Sequence, residues 1–216
     1  MKTQSLLIVS LVLLATAAKS NAFFMNFDSV NAGNGVDATS YLSSFGVTLS
    51  NVSNPGSVQI IDDSFYYGGG AVAASSPHNF LMQNVGGSPN GITYTLDFST
   101  ALASLSFTRI AIISSSAVAQ WTATAYVGST PVGTVGENFF SGTEGAQTFT
   151  LTGSGITSLT ITANGFNFAG IPSAPLDDFT GSEVPETGST LALLAPSLLG
   201  LLGMARLAPF RRRKII

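Results

Sequence analysis

The chain has 216 residues, 9% of them charged, with 23 glycines, 15 phenylalanines and no cysteine. That length fits one ordinary domain with short appendages, and the missing cysteines exclude disulfides and thiol chemistry. Residues 23–181 hold nine acids against one cation, Arg109, a formal −8 that the whole-chain −3 conceals; a segment so poor in cations cannot neutralise phosphates, which excludes nucleic-acid binding.

Residues 1–22 read as a secretory signal peptide. Lys2 supplies the positive start, residues 6–15 the apolar core, and Ser20-Asn21-Ala22 the small residues before a cut. Ala15-Thr16-Ala17 offers a second cut site. The apolar run is too short for a membrane span, and Lys19 follows it. An exported domain of about 160 residues buries a sufficient core without disulfides.

Beyond residue 22 the apolar residues recur with period two. Phe45-Val47-Leu49, Ile92-Tyr94-Leu96-Phe98, Trp121-Ala123-Ala125, Phe149-Leu151 and Leu159-Ile161 alternate with Ser, Thr or other small partners. Such runs predict strands with one face buried and one wet. Val58-Gln59-Ile60 and residues 107–113 are further strands; the latter changes its alternation around Arg109-Ile110, which predicts a bulge or burial on both faces. Asn54-Pro55-Gly56, Gly68-Gly69-Gly70, residues 86–91, Gly153-Ser154-Gly155 and Asn164-Gly165 read as turns between them. Residues 38–45 suit a short helix. Seven to ten short strands with Gly/Asn turns predict an all-β fold, an antiparallel, jelly-roll-like β-sandwich over residues 23–182.

The chemical inventory of that domain is thin. His78, in Ser76-Pro77-His78-Asn79, is the one imidazole, and no Gly-x-Ser-x-Gly elbow accompanies it. It reads as a solvated loop residue rather than the base of a hydrolase. Asp62-Asp63 and Asp177-Asp178 are adjacent carboxylates; neighbours on a strand face opposite ways, so neither pair alone makes the facing carboxyls of glycoside hydrolysis. Asp28, Asn31, Asn34 and Asp37 share one Gly-containing loop whose oxygens suit a structural calcium ion, without EF-hand spacing. For sugar stacking the candidate platform is Tyr66-Tyr67 beside the three glycines, one ring facing in and one out. Trp121 reads as core, because alanines follow it on the same face.

Asn26-Phe27-Asp28-Ser29 near the start and Leu176-Asp177-Asp178-Phe179 near the end resemble the terminal strands of jelly-roll carbohydrate-binding modules. That resemblance implies that the two ends pair. It also implies that Asp177 or Asp178, with Asp28, helps hold a structural calcium.

The C-terminus is a second address. Residues 183–190 form a polar linker, residues 191–210 an apolar segment long enough for a bilayer, and residues 211–216 a basic tail with Arg211, Arg212, Arg213 and Lys214. The basic cluster stays cytoplasmic and leaves the domain outside. Val184-Pro185-Glu186-Thr187-Gly188, the glycine-dotted apolar run and the terminal arginines together resemble a PEP-CTERM sorting tail. Thr187 stands where the second proline belongs, and the string is closer to the Val-Pro-Asp-Ser-Gly variant; it is also similar to a Leu-Pro-x-Thr-Gly sortase signal. The PEP-CTERM resemblance implies an exosortase-type processing enzyme as partner and a host that makes extracellular polysaccharide. Delivery to the inner membrane would be followed by residence at the cell surface or in the matrix. The expectation is an exported, non-catalytic envelope or matrix protein that binds glycan or adheres. The alternatives are a secreted glycan- or ester-hydrolysing enzyme and a permanently membrane-anchored surface protein.

Overall fold

In a computed structural model of the chain, residues 22–53, 57–66, 72–75, 77–84, 92–113, 117–118, 120–138, 140–163, 170–171 and 174–184 are described. They hold one helix, α1 (Thr39–Ser44), and strands β1 (Ala22–Met25), β2 (Val36–Asp37), β3 (Val47–Ser50), β4 (Ser57–Asp62), β5 (Val72–Ala73), β6 (Asn79–Asn84), β7 (Ile92–Arg109), β8 (Ala111–Ile112), β9 (Ala117–Val118), β10 (Trp121–Val127), β11 (Thr130–Glu137), β12 (Phe140–Ser141), β13 (Gln147–Ala163), β14 (Gly170–Ile171) and β15 (Leu176–Glu183). The expected signal peptide ahead of Ala22, the sorting motif beyond Val184, the apolar segment and the basic tail lie outside the described residues. Among those described, no helix is long and apolar enough to cross a membrane.

The architecture follows from two long strands. β7 and β13 run antiparallel from Ile92↔Ala163 to Arg109↔Gln147. Trp121 pairs with Ala163, two strands from Ile92. Phe107 is fifteen residues along β7 from Ile92, which at ~3.3 Å per residue is about 50 Å if the strand were straight. Yet the Phe107 and Trp121 rings are 6.4 Å apart. The ribbon therefore folds back on itself, and its two halves become the facing layers of a sandwich.

The corner is visible in the backbone. Pairing slips between Thr152 and Ile156 and again before Ser158, and Gly155 has φ +104, a value side chains rarely tolerate. Opposite it, Ser99, Thr100 and Ala101 are exposed. Gly153-Ser154-Gly155 is thus a bulge inside one 17-residue strand and not the turn between two strands that its composition predicts. A hairpin turn would have returned the chain beside itself; the bulge keeps pairing and redirects it.

β3 extends the first layer along β7, and β10 then β11 extend it along β13; β15 flanks the far half of β7, with β6, β4 and β2 beyond. β10 shows the period-two logic: Trp121, Ala123 and Ala125 are buried, Thr122 and Thr124 half-buried on the outer face. Hydroxyl pairs knit that face, Thr93 with Thr162 at 3.3 Å, Thr95 with Thr160 at 3.0 Å and Thr124 with Thr134 at 3.0 Å. α1 forms where residues 38–45 predict it and buries Leu42. The result is the expected all-β antiparallel sandwich.

A second, smaller cluster lies on the other face of β4 and β6: Ile61, Tyr66, Val72, Phe80, Met82, Ile110 and Ile112. It explains the frame change at Arg109-Ile110. β7 ends at Arg109, the Ile110 N–H turns to the Pro175 carbonyl at 3.1 Å, and β8 pairs with β5 in a separate two-stranded sheet. The chain changes sheets there, so Phe107 enters the main core while Ile110 and Ile112 enter the smaller one.

The two ends of the domain pair, as the resemblance of its terminal strands implies. β1 lies antiparallel to β15, from Ala22↔Ser182 to Met25↔Phe179. Val184 donates its N–H to the Ala101 carbonyl at 3.1 Å. The chain therefore enters and leaves side by side, near the corner.

Candidate functional site

At the other end of β7 an open groove of about 400 Å³ is lined by residues from the start of β10, the end of β11 and the start of β13. Its floor is ionic. Arg109 continues the inward-facing series Leu105, Phe107 and is 2% exposed, so its charge must find a partner inside. Arg109 Nε donates to Glu137 Oε2 at 2.9 Å and Nη2 to Oε1 at 2.7 Å, while Nη1 donates to the carbonyls of Ile110 and Gly145. Trp121 Nε1 donates to the same Glu137 Oε2 at 2.8 Å. Both carboxylate oxygens are engaged, and the pair is held by two bonds in fixed geometry.

Register explains why these groups meet. Trp121 pairs with Glu137, and Thr122 with Gly136. A Cβ on Gly136 would lie 2.2 Å from the Trp121 carbonyl oxygen, so only glycine lets the strands close here. Phe149, half-buried, lines the groove with its ring 6.0 Å from Phe107 and edge-on to Trp121 at 5.2 Å. Gln120 and Asn138 stand exposed at its mouth, with Thr122 and Thr134 beside them. The groove offers amides, hydroxyls and two aromatic side chains, the buried Trp121 and the half-buried Phe149, around a paired carboxylate. Among the described residues its one lining acid is Glu137, without the facing pair that glycoside hydrolysis uses.

The acids singled out from the sequence are placed elsewhere. Asp177 is fully buried; its carboxylate accepts from Ser75 Oγ at 3.0 Å and from the Asp178 N–H at 2.8 Å. Asp178 sits at φ +52. Asp28 accepts from Asn26 Nδ2 at 2.7 Å, and Asp37, two residues ahead of α1's first residue, accepts from the Thr39 N–H at 2.8 Å. Among the described residues, the group of three acidic or imidazole side chains whose ligating atoms fall within 4.8 Å of one another is Asp62, Asp63 and His78, not Asp28 with Asp177 and Asp178. Within it, His78 Nδ1 lies 3.4 Å from Asp63 Oδ1, and Ser64 Oγ donates to Asp62 at 2.5 Å rather than to the imidazole. His78 is 70% exposed, the solvated loop residue its sequence setting predicts.

Tyr66 is 8% exposed and meets Phe80 edge-on at 5.6 Å, so its ring belongs to the smaller cluster and has no open face for a sugar. Tyr67 lies outside the described residues. Trp121 is core, as its alternating strand predicts. The groove formers Glu137, Phe149, Gln120 and Asn138 carry no sequence motif that marks them.

No protein-family profile matches the sequence, and no curated protein sequence does. Solved structures of similar fold include the K2 cleaved adhesin domain of Lys-gingipain, 13% identical with a TM-score of 0.46 over 74% of this chain and 99% of that one. A Stig cyclase from Fischerella sp. TAU is 11% identical with a TM-score of 0.47 over 77% of this chain and all of its own. A mannan-recognising carbohydrate-binding module is 10% identical with a TM-score of 0.38 over 76% of this chain and 99% of that one. An adhesin domain, a cyclase and a sugar-binding module are different activities, and likeness at this level assigns none of them to this chain.

Proposed function

We propose that the protein is an exported, non-catalytic component of a bacterial envelope or extracellular matrix, whose sandwich binds glycan or adheres through the groove beside Glu137. The observation that carries this reading is polarity of layout. The chain leaves the domain beside Leu102, the partner of Glu183, and the groove lies at the Arg109 end. Those positions are seven residues apart on β7, about 23 Å at ~3.3 Å per residue. The groove is thus at the end of β7 away from the point where the chain leaves the domain. The PEP-CTERM-like Val184-Pro185-Glu186-Thr187-Gly188 would then be the substrate of an exosortase-type enzyme, with the domain released to the surface or matrix.

The test is the intact mass and C-terminal peptide of the protein recovered from its host, in membrane and medium fractions. Loss of the signal peptide and of everything beyond about Glu186 in released material is the expected result. Recovery solely in the membrane with Arg211, Arg212, Arg213 and Lys214 attached would make it an anchored surface protein and sink the processing step. Whichever holds, co-sedimentation of the recovered protein with the host's extracellular polysaccharide tests the binding role, and its absence counts against it.

A further inference from the structure

We infer that the groove takes an uncharged polysaccharide, a statement that rests on the glycan-binding reading and narrows it to one chemical class. Arg109 is the sole lysine or arginine among residues 23–181, which also hold nine acids. Its guanidinium is 2% exposed and committed to Glu137, to Ile110 O and to Gly145 O. The other lining side chains that carry polar atoms, those of Gln120, Trp121, Thr122, Thr134 and Asn138, are neutral.

A uronate, sulfate or pyruvylated sugar placed in this groove would give up hydration with no cation to receive its charge, inside a domain already strongly negative. A neutral sugar needs only what the groove presents: amide and hydroxyl groups for its hydroxyls, and the Phe149 ring for its apolar face. Glu137 does not turn the site toward cationic ligands either, because Arg109 and Trp121 occupy both of its oxygens. The sole arginine of the domain is thus used to make the groove neutral rather than to attract an acid.

The test uses the full chain in detergent and affinity electrophoresis through gels containing dextran, xylan or mannan, against dextran sulfate and alginate. Retardation by at least one neutral polymer, weaker by roughly tenfold or more in apparent affinity for the acidic ones, and unchanged between low and high salt, is the expected result. Stronger retardation by an acidic polymer overturns the inference and leaves glycan binding standing. Retardation by neither class removes the glycan reading and this inference with it.

Two sets of variants locate the contact. Asn138→Ala with Gln120→Ala, both exposed positions, should abolish most retardation without touching the core, and full retention in that double variant overturns the groove as the site. Thr134→Lys puts a cation at the exposed rim. It should confer salt-sensitive binding of dextran sulfate, and no gain there also counts against charge as the selector.

Discussion

Arg109 and Glu137 meet at two points, 2.9 and 2.7 Å, with the guanidinium 2% and the carboxylate 13% exposed. His78 and Asp63 meet at one, 3.4 Å, with the imidazole 70% exposed. The two contacts are therefore in different dielectrics. In the first pair, most water has been removed from both groups, so each depends on the other; in the second, water solvates the imidazole and screens the contact. The buried pair also ties together the end of β7, the end of β11 and, through Trp121, the start of β10, which are the elements that shape the groove. The exposed pair spans the ends of β4 and β6, already joined by backbone pairing at Asp62↔Asn79.

Arg109→Met breaks the first pair and should have the largest effect. It leaves the mostly buried Glu137 carboxylate without its cation, and removing one partner of a buried pair costs about 3–5 kcal/mol. Urea unfolding monitored by Trp121 fluorescence measures it. Adding Glu137→Gln, which keeps an acceptor for Trp121 Nε1, should restore a large part of that loss, because no unpaired charge remains. A loss under about 1 kcal/mol in the single variant would falsify the dependence of Glu137 on Arg109.

Gly136→Ala attacks the same end through packing. The new Cβ meets the Trp121 carbonyl oxygen at 2.2 Å and the Thr122 Cα at 2.9 Å, both backbone atoms, so β10 and β11 must part. Overpacking of this kind costs about 1–3 kcal/mol. Glycan retardation should fall along with stability, since the displaced strands line the groove. The matching change at Gly145, where an added Cβ meets nothing within 4 Å, should be milder.

These contacts also mark what was legible beforehand. The alternation of Trp121-Ala123-Ala125 predicts β10, its buried face and the core position of Trp121, because period two depends on neighbours along one strand. Residues 38–45 predict α1 for the same local reason. Gly153-Ser154-Gly155 is misleading, since a bulge and a turn draw on the same flexible residues and differ only in whether the strand goes on pairing. The Arg109–Glu137 pair is 28 residues apart in the chain and exists only once β7 has folded back. A trace of it is present all the same: Arg109 falls on the inward parity of Leu105 and Phe107, and a lone inward arginine requires a buried acid. Which of nine acids answers it depends on register, and composition does not carry register. Tyr66, edge-on to Phe80 in the smaller cluster, takes the inward place that the pair Tyr66-Tyr67 leaves for one of its rings.

Tyr94 provides a case with the opposite sign. Its ring is fully buried and its hydroxyl has no hydrogen-bond partner among the described residues. Burial pushes the phenol well above its ordinary value, so the folded state resists the ionisation that the unfolded chain undergoes. Stability is fully present below the unfolded pKa of about 10 and falls as pH rises beyond it. Tyr94→Phe should remove that alkaline loss and, at neutral pH, raise stability by about 1 kcal/mol, because an unmet buried hydroxyl is deleted. Unfolding at pH 7 and pH 11 in parallel reads both effects. An alkaline slope unchanged in the variant assigns the loss to another group.

His78→Ala should have the smallest effect, and it sharpens the contrast between the two ion pairs. An exposed pair contributes about 0–1 kcal/mol, and Asp63 keeps the Ala74 N–H, which reaches its Oδ2 at 3.1 Å. The backbone carries a separate cost: His78 has φ +82, which is unfavourable for any residue with a side chain. His78→Gly relieves that strain while also deleting the imidazole. If the pair matters little, glycine should be at least as stable as histidine and alanine close to histidine. If both variants lose more than about 1 kcal/mol, the imidazole is contributing as a buried group would, and the distinction between the two ends of the domain fails at its weaker side.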